Sequence, residues 1–431
     1  MGLLGFIVVF LILLAFGLPI AFVMLLSSTL YFLASGNPLF LRMIPEKMFA
    51  GIDVFVLLAI PFFLLAGEIM NKAKLTDRLF DFCNLLVGRI RGGLAQVNVV
   101  SSIMFSGVTG VALGDIASQG RMFIFAMERQ GYDRPFSAAI TAATALLGAI
   151  MPPSTMIIVY CAVTNVSVGA MFAAAVIPAL MLGLFQMVQV QWIAWRKQYP
   201  KVEVEVTAWK LFTGFRDAFF AVAMPVILIR GIIVGWFTPT EAAAACVVYA
   251  LFVSFFILRT LHIKDTWSIL SVASMDTARL FFIISGAAAM SWVFAMENVP
   301  AVVQQLMSGV STNVVVVVLV INLFFLFCGM WLDASISIIL FSPIVAPLAS
   351  AAGIHPVQLG IMLCMNCVLG NITPPVGNVL FAVANIAKIG IGPLTRAMLP
   401  YIVSGLLLVI LIGLWPDLTL TLPRAFDLVR P

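Results

Sequence analysis

Long apolar blocks, each closed by a short polar cluster, follow one another along this chain. About 20 apolar residues cross a hydrocarbon core as a helix. On that scale the pattern predicts two groups of five spans: 2–17, 19–35, 53–70, 136–163 and 169–195, then 218–235, 239–258, 273–296, 357–387 and 397–416. The first block is divided at Gly17-Leu-Pro19 by analogy with 218–258, the alternative being one long helix over Met1–Gly36. This first run lacks the basic start and small-residue cleavage pattern of a removable signal, so it is expected to remain as a span.

Charge orients the spans. Basic clusters at 72–91, 121–134, 196–216, 259–264 and 388–396 hold most of the Lys and Arg, and the positive-inside rule assigns them to the cytoplasm. Two apolar blocks then fail to change sides. Residues 93–120 leave one cytoplasmic cluster and return to another. Residues 314–350 enter from outside through Val314–Phe327, turn near Cys328-Gly-Met-Trp-Leu-Asp333 and leave through Ile336–Leu348. Both are predicted re-entrant helical hairpins. Irregular backbone at membrane depth survives only inside protein or beside a water-filled cavity, so paired hairpins predict a buried polar site.

Composition narrows the function. Of 431 residues, 63% are hydrophobic and 10% charged, against about 25% charged in a soluble domain. The fold class is therefore all-α integral membrane, with little chain left for a soluble domain. The two histidines, His262 and His355, fall in connections, so a histidine metal centre or a Ser-His-Asp arrangement lacks its parts. No Gly-Lys pair exists to begin a phosphate-cradling loop, and no enzyme is expected. The net charge of +5 is accounted for by topology, without a nucleic-acid partner. Cys364-x-x-Cys367 has no second pair beside it and reads as small core hydrophobes.

Shifting the chain by about 220 residues superposes its unusual features in order: Pro19 on Pro239, Phe62–Gly67 on Phe281–Gly286, Asp115 on Asp333, and Gly148…Pro152-Pro153 on Gly370…Pro374-Pro375. This predicts an internal duplication. Residues 1–195 form the first repeat with hairpin 93–120, 196–216 a cytoplasmic connector ending in an interfacial helix, and 217–431 the second repeat with hairpin 314–350. Five spans is an odd number, so the repeats are inverted, an arrangement recurring in secondary transporters with sites at the repeat interface.

The chemistry is expected at the interruptions. Consecutive prolines remove two backbone donors, so the helix unwinds at Gly148-Ala-Ile-Met-Pro152-Pro153-Ser154-Thr155 and at Gly370-Asn371-Ile-Thr373-Pro374-Pro375-Val-Gly377-Asn378. Freed carbonyls with nearby hydroxyls suit Na⁺, and half-helix N-termini suit an anion. The hairpin turns supply flexible glycines, with Ser106, Thr109, Ser335 and Ser337 as oxygen donors. Asp115 and Asp333 read either as staples capping helix starts or as ion ligands.

Read together, Gly148-x-x-Met-Pro-Pro-Ser154, Thr373-Pro-Pro-Val-Gly377, Phe237-Thr-Pro-Thr-Glu-Ala-Ala243, Ala59–Met70 and Leu332-Asp333 make the chain resemble, almost end to end, the large membrane subunit of tripartite ATP-independent periplasmic (TRAP) transporters. The resemblance implies a transport subunit paired with a four-helix small membrane subunit and a periplasmic substrate-binding protein, in the bacterial inner membrane. It also implies Na⁺-coupled import of organic anions by an elevator-type movement, with Na⁺ as the coupling ion and no other cofactor. A first ion site is expected at Ser106, Gly107, Thr109, Gly110, Asp115, Gly148, Pro152, Pro153 and Ser154. A second is expected at Gly329, Asp333, Ser335, Gly370, Thr373, Pro374, Pro375 and Gly377, with Thr155, Asn366, Asn371 and Asn378 toward substrate. The first hairpin departs from the family's Ser-Gly-Ser-Ser/Ala-x-Ala-Asp pattern: Val111 lacks the hydroxyl found there. The stretch Asn366–Leu380 is closer to sugar-acid and dicarboxylate members than to sialic-acid members. Sialic-acid transport and a stand-alone divalent-anion/Na⁺ symporter are the alternatives.

Overall fold

Helices account for every regular element that the computed structural model describes, over residues 2–35, 39–109, 116–201, 207–308 and 313–429. Eight of them are long and apolar enough to cross a membrane, and a broken pair bent by 44° makes a ninth candidate. In chain order they are α1 (Leu3–Ala15), α2 (Ile20–Ala34), α3 (Leu39–Ile52), α4 (Ala59–Lys72), α5 (Leu75–Val87), α6 (Gly93–Thr109), α7 (Arg121–Arg129), α8 (Arg134–Ile150), α9 (Thr155–Thr164) and α10 (Val168–Arg196). The second half holds α11 (Ala208–Ile233), α12 (Pro239–Phe252), α13 (Ile263–Met296), α14 (Val299–Ser308), α15 (Val314–Trp331), α16 (Ala334–Ala351), α17 (Pro356–Gly370), α18 (Asn378–Ala387), α19 (Ile391–Leu414) and α20 (Asp417–Ala425).

Local chemistry sets the boundaries. Gly17 adopts φ +74°, in the left-handed region open to glycine, and Pro19 caps α2, so the first apolar block is two helices. Thr238 and Glu241 form a reciprocal capping box with Pro239 at the first turn, which starts α12. Two short π-helical turns, Ile116–Gly120 and Val253–Ile257, adjoin α7 and α12.

The broken helices lie at the centre. Every residue from Phe136 to Ile150 of α8 and from Val357 to Gly370 of α17 is buried, as expected of helices apolar all round. Ala138, Ala139, Ala142, Ala143, Ala145 and Ala149 keep α8 slim, which lets neighbouring helix backbones approach where lipid gives no hydrophobic drive to associate. Elements about 220 residues apart make corresponding contacts. The first hairpin arm α6 packs on α8 as α15 packs on α17. The return arms cross over: α16 packs on α9, and the turn 116–120 with α7 packs on α18. Helices α10 and α19 each contact both α8 and α17. Around this core, α2, α3 and α4 pack on α13, and α4 also on α12.

Several elements differ from the sequence reading. The connection at 36–52 contains α3, docked on α13, and the basic cluster at 72–91 contains α5, docked on α6 and α11. The expected interfacial helix of the connector is the exposed start of α11, continuous with the following span, with Trp209 and Phe212 at 71% and 59% exposure. The first return arm runs past residue 120 into α7, because Phe123, Ile124 and Met127 give it a buried face.

Candidate functional site

The second break is built from glycine. At Gly370 a Cβ would lie 2.6 Å from the Gly329 carbonyl carbon and 2.7 Å from its Cα, and at Gly329 a Cβ would lie 2.6 Å from the Cys367 oxygen. The end of α15 therefore rests directly on the end of α17, backbone on backbone. The hairpin tip then reaches over the unwound stretch, where the Met330 carbonyl accepts from Gly377 N–H at 3.0 Å. Gly377 itself has φ +59°, and a Cβ there would meet the Asn371 and Thr373 oxygens at 2.6 and 3.1 Å, so two backbone carbonyls converge on one position. Asn371 O also accepts from Val379 and Leu380 N–H, which satisfies the first turn of α18.

Thr373 hydroxyl donates to Leu369 O at 2.7 Å. With its proton so placed, its oxygen lone pairs remain for a cation. Asp333 caps α16: its Oδ1 accepts from Ser335 N–H at 2.9 Å, and its carbonyl accepts from the Ser337 hydroxyl at 3.3 Å. Gly329, Asp333, Ser335, Gly370, Thr373 and Gly377 thus share one tip-on-break junction. Pro375 and Asn378 are exposed, so this junction opens to the surface.

At the first break Pro152, Pro153, Ser154 and Thr155 are all buried. Ser154 joins the two half-helices, donating to Ala149 O at 2.5 Å and capping α9 by accepting from Ile157 N–H at 3.4 Å. Thr155 opens α9. Gly110 and Asp115 lie outside the described residues, and of Ser106, Gly107 and Thr109 only the helical backbone ending α6 is described. Both Pro-Pro peptide bonds, 152–153 and 374–375, are cis.

Of the residues expected toward substrate, Asn366 faces α15 instead. Its amide donates to Asn322 O and Oδ1 at 2.7 and 2.9 Å. The corresponding place in the first half holds Thr144, which donates to Asn98 Oδ1 at 3.1 Å, while Asn98 Nδ2 donates to Thr141 Oγ1 at 2.9 Å. Asn98 and Asn322 escaped the sequence reading, although each is a polar residue on a hairpin arm and they stand at about the repeat spacing. Among the described residues no group of His, Cys, Asp and Glu is placed to hold a metal, and all six cysteines are free and buried.

Solved structures similar in shape include the YdaH transporter of Alcanivorax borkumensis (14% identity, TM-score 0.63, 88% of each chain). Another is MtrF of Neisseria gonorrhoeae (15% identity, TM-score 0.60, 87% of this chain and 83% of that one). At such identity these show the fold alone. Sequence relatives reach further. The sialic acid TRAP large permease SiaM of Vibrio cholerae is 36% identical over 95% of this chain and 96% of its own. The C4-dicarboxylate TRAP large permease DctM of Pseudomonas aeruginosa is 35% identical over 90% and 91%, and the 2,3-diketo-L-gulonate TRAP large permease YiaN of Escherichia coli is 32% identical over 94% and 95%. The model of the tripartite ATP-independent periplasmic transporter DctM component matches residues 7–418, and with it the chain belongs to the DctM-like large permeases of TRAP transporters.

Proposed function

We propose that this TRAP large permease, a multi-pass inner-membrane protein and not an enzyme, imports small organic anions of the sugar-acid or C4-dicarboxylate class by Na⁺ symport. Its partners in this reading are a four-helix small membrane subunit and a periplasmic binding protein that delivers substrate. The observation that carries the proposal is the second junction, where the Asn371 and Thr373 carbonyls converge beside Gly377 under the hairpin tip, with the Thr373 hydroxyl on the same unwound stretch. Neutral oxygens held by backbone, with no carboxylate required, suit a weakly bound monovalent ion that must also leave. The first ion would sit at the corresponding junction of α6 with the Gly148–Ser154 break.

Substrate would meet the positive starts of the half-helices α9 and α18 at Thr155 and Asn378, with Asn371 beside them. The crossed contacts of the hairpin arms support two inverted repeats, 1–195 and 217–431, with re-entrant hairpins at 93–120 and 314–350. They also support an elevator movement of α6–α10 with α15–α19 against α1–α4 and α11–α13. Sialic acid remains the second substrate reading, favoured by the 36% identity to the Vibrio cholerae protein.

Uptake of radiolabelled organic acids into proteoliposomes holding the complex tests the proposal. A sodium gradient should drive accumulation and a choline gradient should not. Uptake indifferent to Na⁺ removes the coupling, and undiminished uptake without the binding protein makes the chain a stand-alone symporter.

A further inference from the structure

A small polar cavity lies between α6, the turn 116–120 with α7, and α8. Its walls include Asn98, Ser102, Gln119, Thr141 and Thr144, each at least nine-tenths buried. Its free space is that of one small ion or water. Thr144 is six residues before Ile150, the last residue of α8, so the cavity lies about 9 Å along α8 from the break and is not part of the junction described above.

Three of these groups have settled protein partners. Thr141 hydroxyl donates to Ser137 O at 2.8 Å, Thr144 hydroxyl donates to Asn98 Oδ1 and Thr141 O at 3.1 Å each, and Asn98 Nδ2 donates to Thr141 Oγ1 at 2.9 Å. Because both threonine protons are committed, the threonines turn oxygen lone pairs to whatever else is near. The other two wall groups, Ser102 hydroxyl and Gln119 amide, have no hydrogen-bond partner among the described residues. Both border the cavity space, so their polar atoms are open to whatever occupies it.

The fold itself does not demand these polar walls. In the second half the positions spaced like Ser102 and Thr141 are Leu326 and Leu363. There Asn322 meets Asn366 and the Met362 sulfur directly. The polar wall groups at Ser102 and Thr141 are thus particular to the first half. Among the described residues the cavity wall presents oxygens from four side-chain types and no positive group, which disfavours an anion. Among the same residues it has no carboxylate, which disfavours a divalent cation.

We propose that this cavity binds one hard monovalent cation of sodium's size, separate from the two junction sites. The assignment does not require that uptake be sodium-driven. The probe is ²²Na⁺ binding to the purified full-length complex, comparing wild type with Ser102→Ala and Gln119→Leu combined. These replacements break no protein hydrogen bond, so the variant should melt in choline chloride at least as high as wild type. It should nevertheless bind one Na⁺ fewer and lose part of its stabilisation by Na⁺. An unchanged Na⁺ count with unchanged Na⁺ protection overturns the proposal. If the variant does not fold, the wild-type complex prepared in Tl⁺ decides: a heavy-atom peak in the cavity supports the site, and water density alone overturns it. Sodium-independent uptake alongside the lost ²²Na⁺ would instead sink the coupling reading while leaving the cavity's assignment standing.

Discussion

The two hairpin junctions share a plan and differ in the side chains that line their helix contacts and in how open they are. In the second, α15 lies on α17 through Gly329 and Gly370, and the Asn366 amide donates to Asn322 across the contact. In the first, α6 lies on α8 around a polar cavity, and the prolines are buried where those of the second are part-exposed or exposed. In both halves a Pro-Pro pair fixes where the break falls. The side chains one or two turns away decide how tightly each hairpin is seated.

The largest effect should come from separating the glycine seat of the second junction. Gly370→Ala forces a Cβ against Gly329 backbone atoms at 2.6 and 2.7 Å and Leu326 O at 2.9 Å, and backbone has no rotamer by which to yield. About tenfold or greater loss of proteoliposome uptake is expected. The control is Gly183→Ala on α10, whose Cβ would meet the end of a flexible side chain, Ile103 Cδ1, at 2.6 Å and should leave uptake near wild type. Equal losses in both would show that any crowding of the core stops transport and that the glycine seat has no special role.

Next comes the asparagine pair. Asn366→Leu leaves Asn322 O and Oδ1 without the donor they have now, a loss of about 1–3 kcal/mol, read as a lower melting temperature. Replacing Asn322 and Asn366 together by leucine should recover part of that loss, since the stranded Oδ1 is removed and only the backbone carbonyl at position 322 still lacks its donor. Thr144→Val strands Asn98 Oδ1 in the same way, but beside a cavity whose occupant can take over, so its melting temperature should fall less. A greater fall for Thr144→Val would show that nothing in the cavity takes over the lost bond.

The hydroxyls at the breaks separate ion binding from stapling. Thr373→Val removes an oxygen beside the converging carbonyls and should raise the Na⁺ concentration for half-maximal uptake severalfold, the scale of about 1 kcal/mol for one neutral contact. Ser154→Ala removes a helix cap and the bond to Ala149 O, so it should appear chiefly as about 1 kcal/mol of lost stability. Matching shifts in Na⁺ dependence for the two variants would mean that the two breaks hold ions alike.

What the sequence disclosed follows from how local each signal is. Pro152-Pro153, Pro374-Pro375, the glycine-rich turn before Asp333 and the Gly17-Leu-Pro19 division all act within a few residues, so a single pass finds them. Helices α3 and α5 carry charges such as Arg42, Glu46, Asp77 and Arg78, and their order depends on docking to α13 and α11, which no local pattern records. Asn366 was legible as a polar residue near a break but not as a partner of Asn322, because that contact joins residues 44 positions apart. The cavity needed three elements in place before Ser102 and Gln119 could be seen to lack partners.

The smallest predicted effect concerns the caps that start the two broken helices. Asp133 precedes α8, and its carboxylate accepts from the Lys197 ammonium and, at 3.0 Å, from Tyr199 hydroxyl. The Lys197 bond, with the Tyr199 bond opposing burial, holds Asp133 below the usual aspartate range. Its contribution to stability is therefore present above about pH 4 and is lost only as pH falls through that lowered value. His355 occupies the corresponding place before α17, where Nδ1 accepts from Val357 N–H at 3.2 Å, a bond only the neutral ring can make. Burial, then the nearby Arg424 charge, pushes His355 below its ordinary value of 6.5. The cap is thus fully present above about pH 6.5 and is lost as pH falls through the lowered folded value. Between pH 7 and 5 the melting temperature should decline slightly more for wild type than for His355→Asn, which keeps a capping oxygen without a titrating ring. Identical slopes would remove His355 from the cap's pH dependence. A steeper slope abolished instead by Asp133→Asn would place the acid-sensitive end on α8.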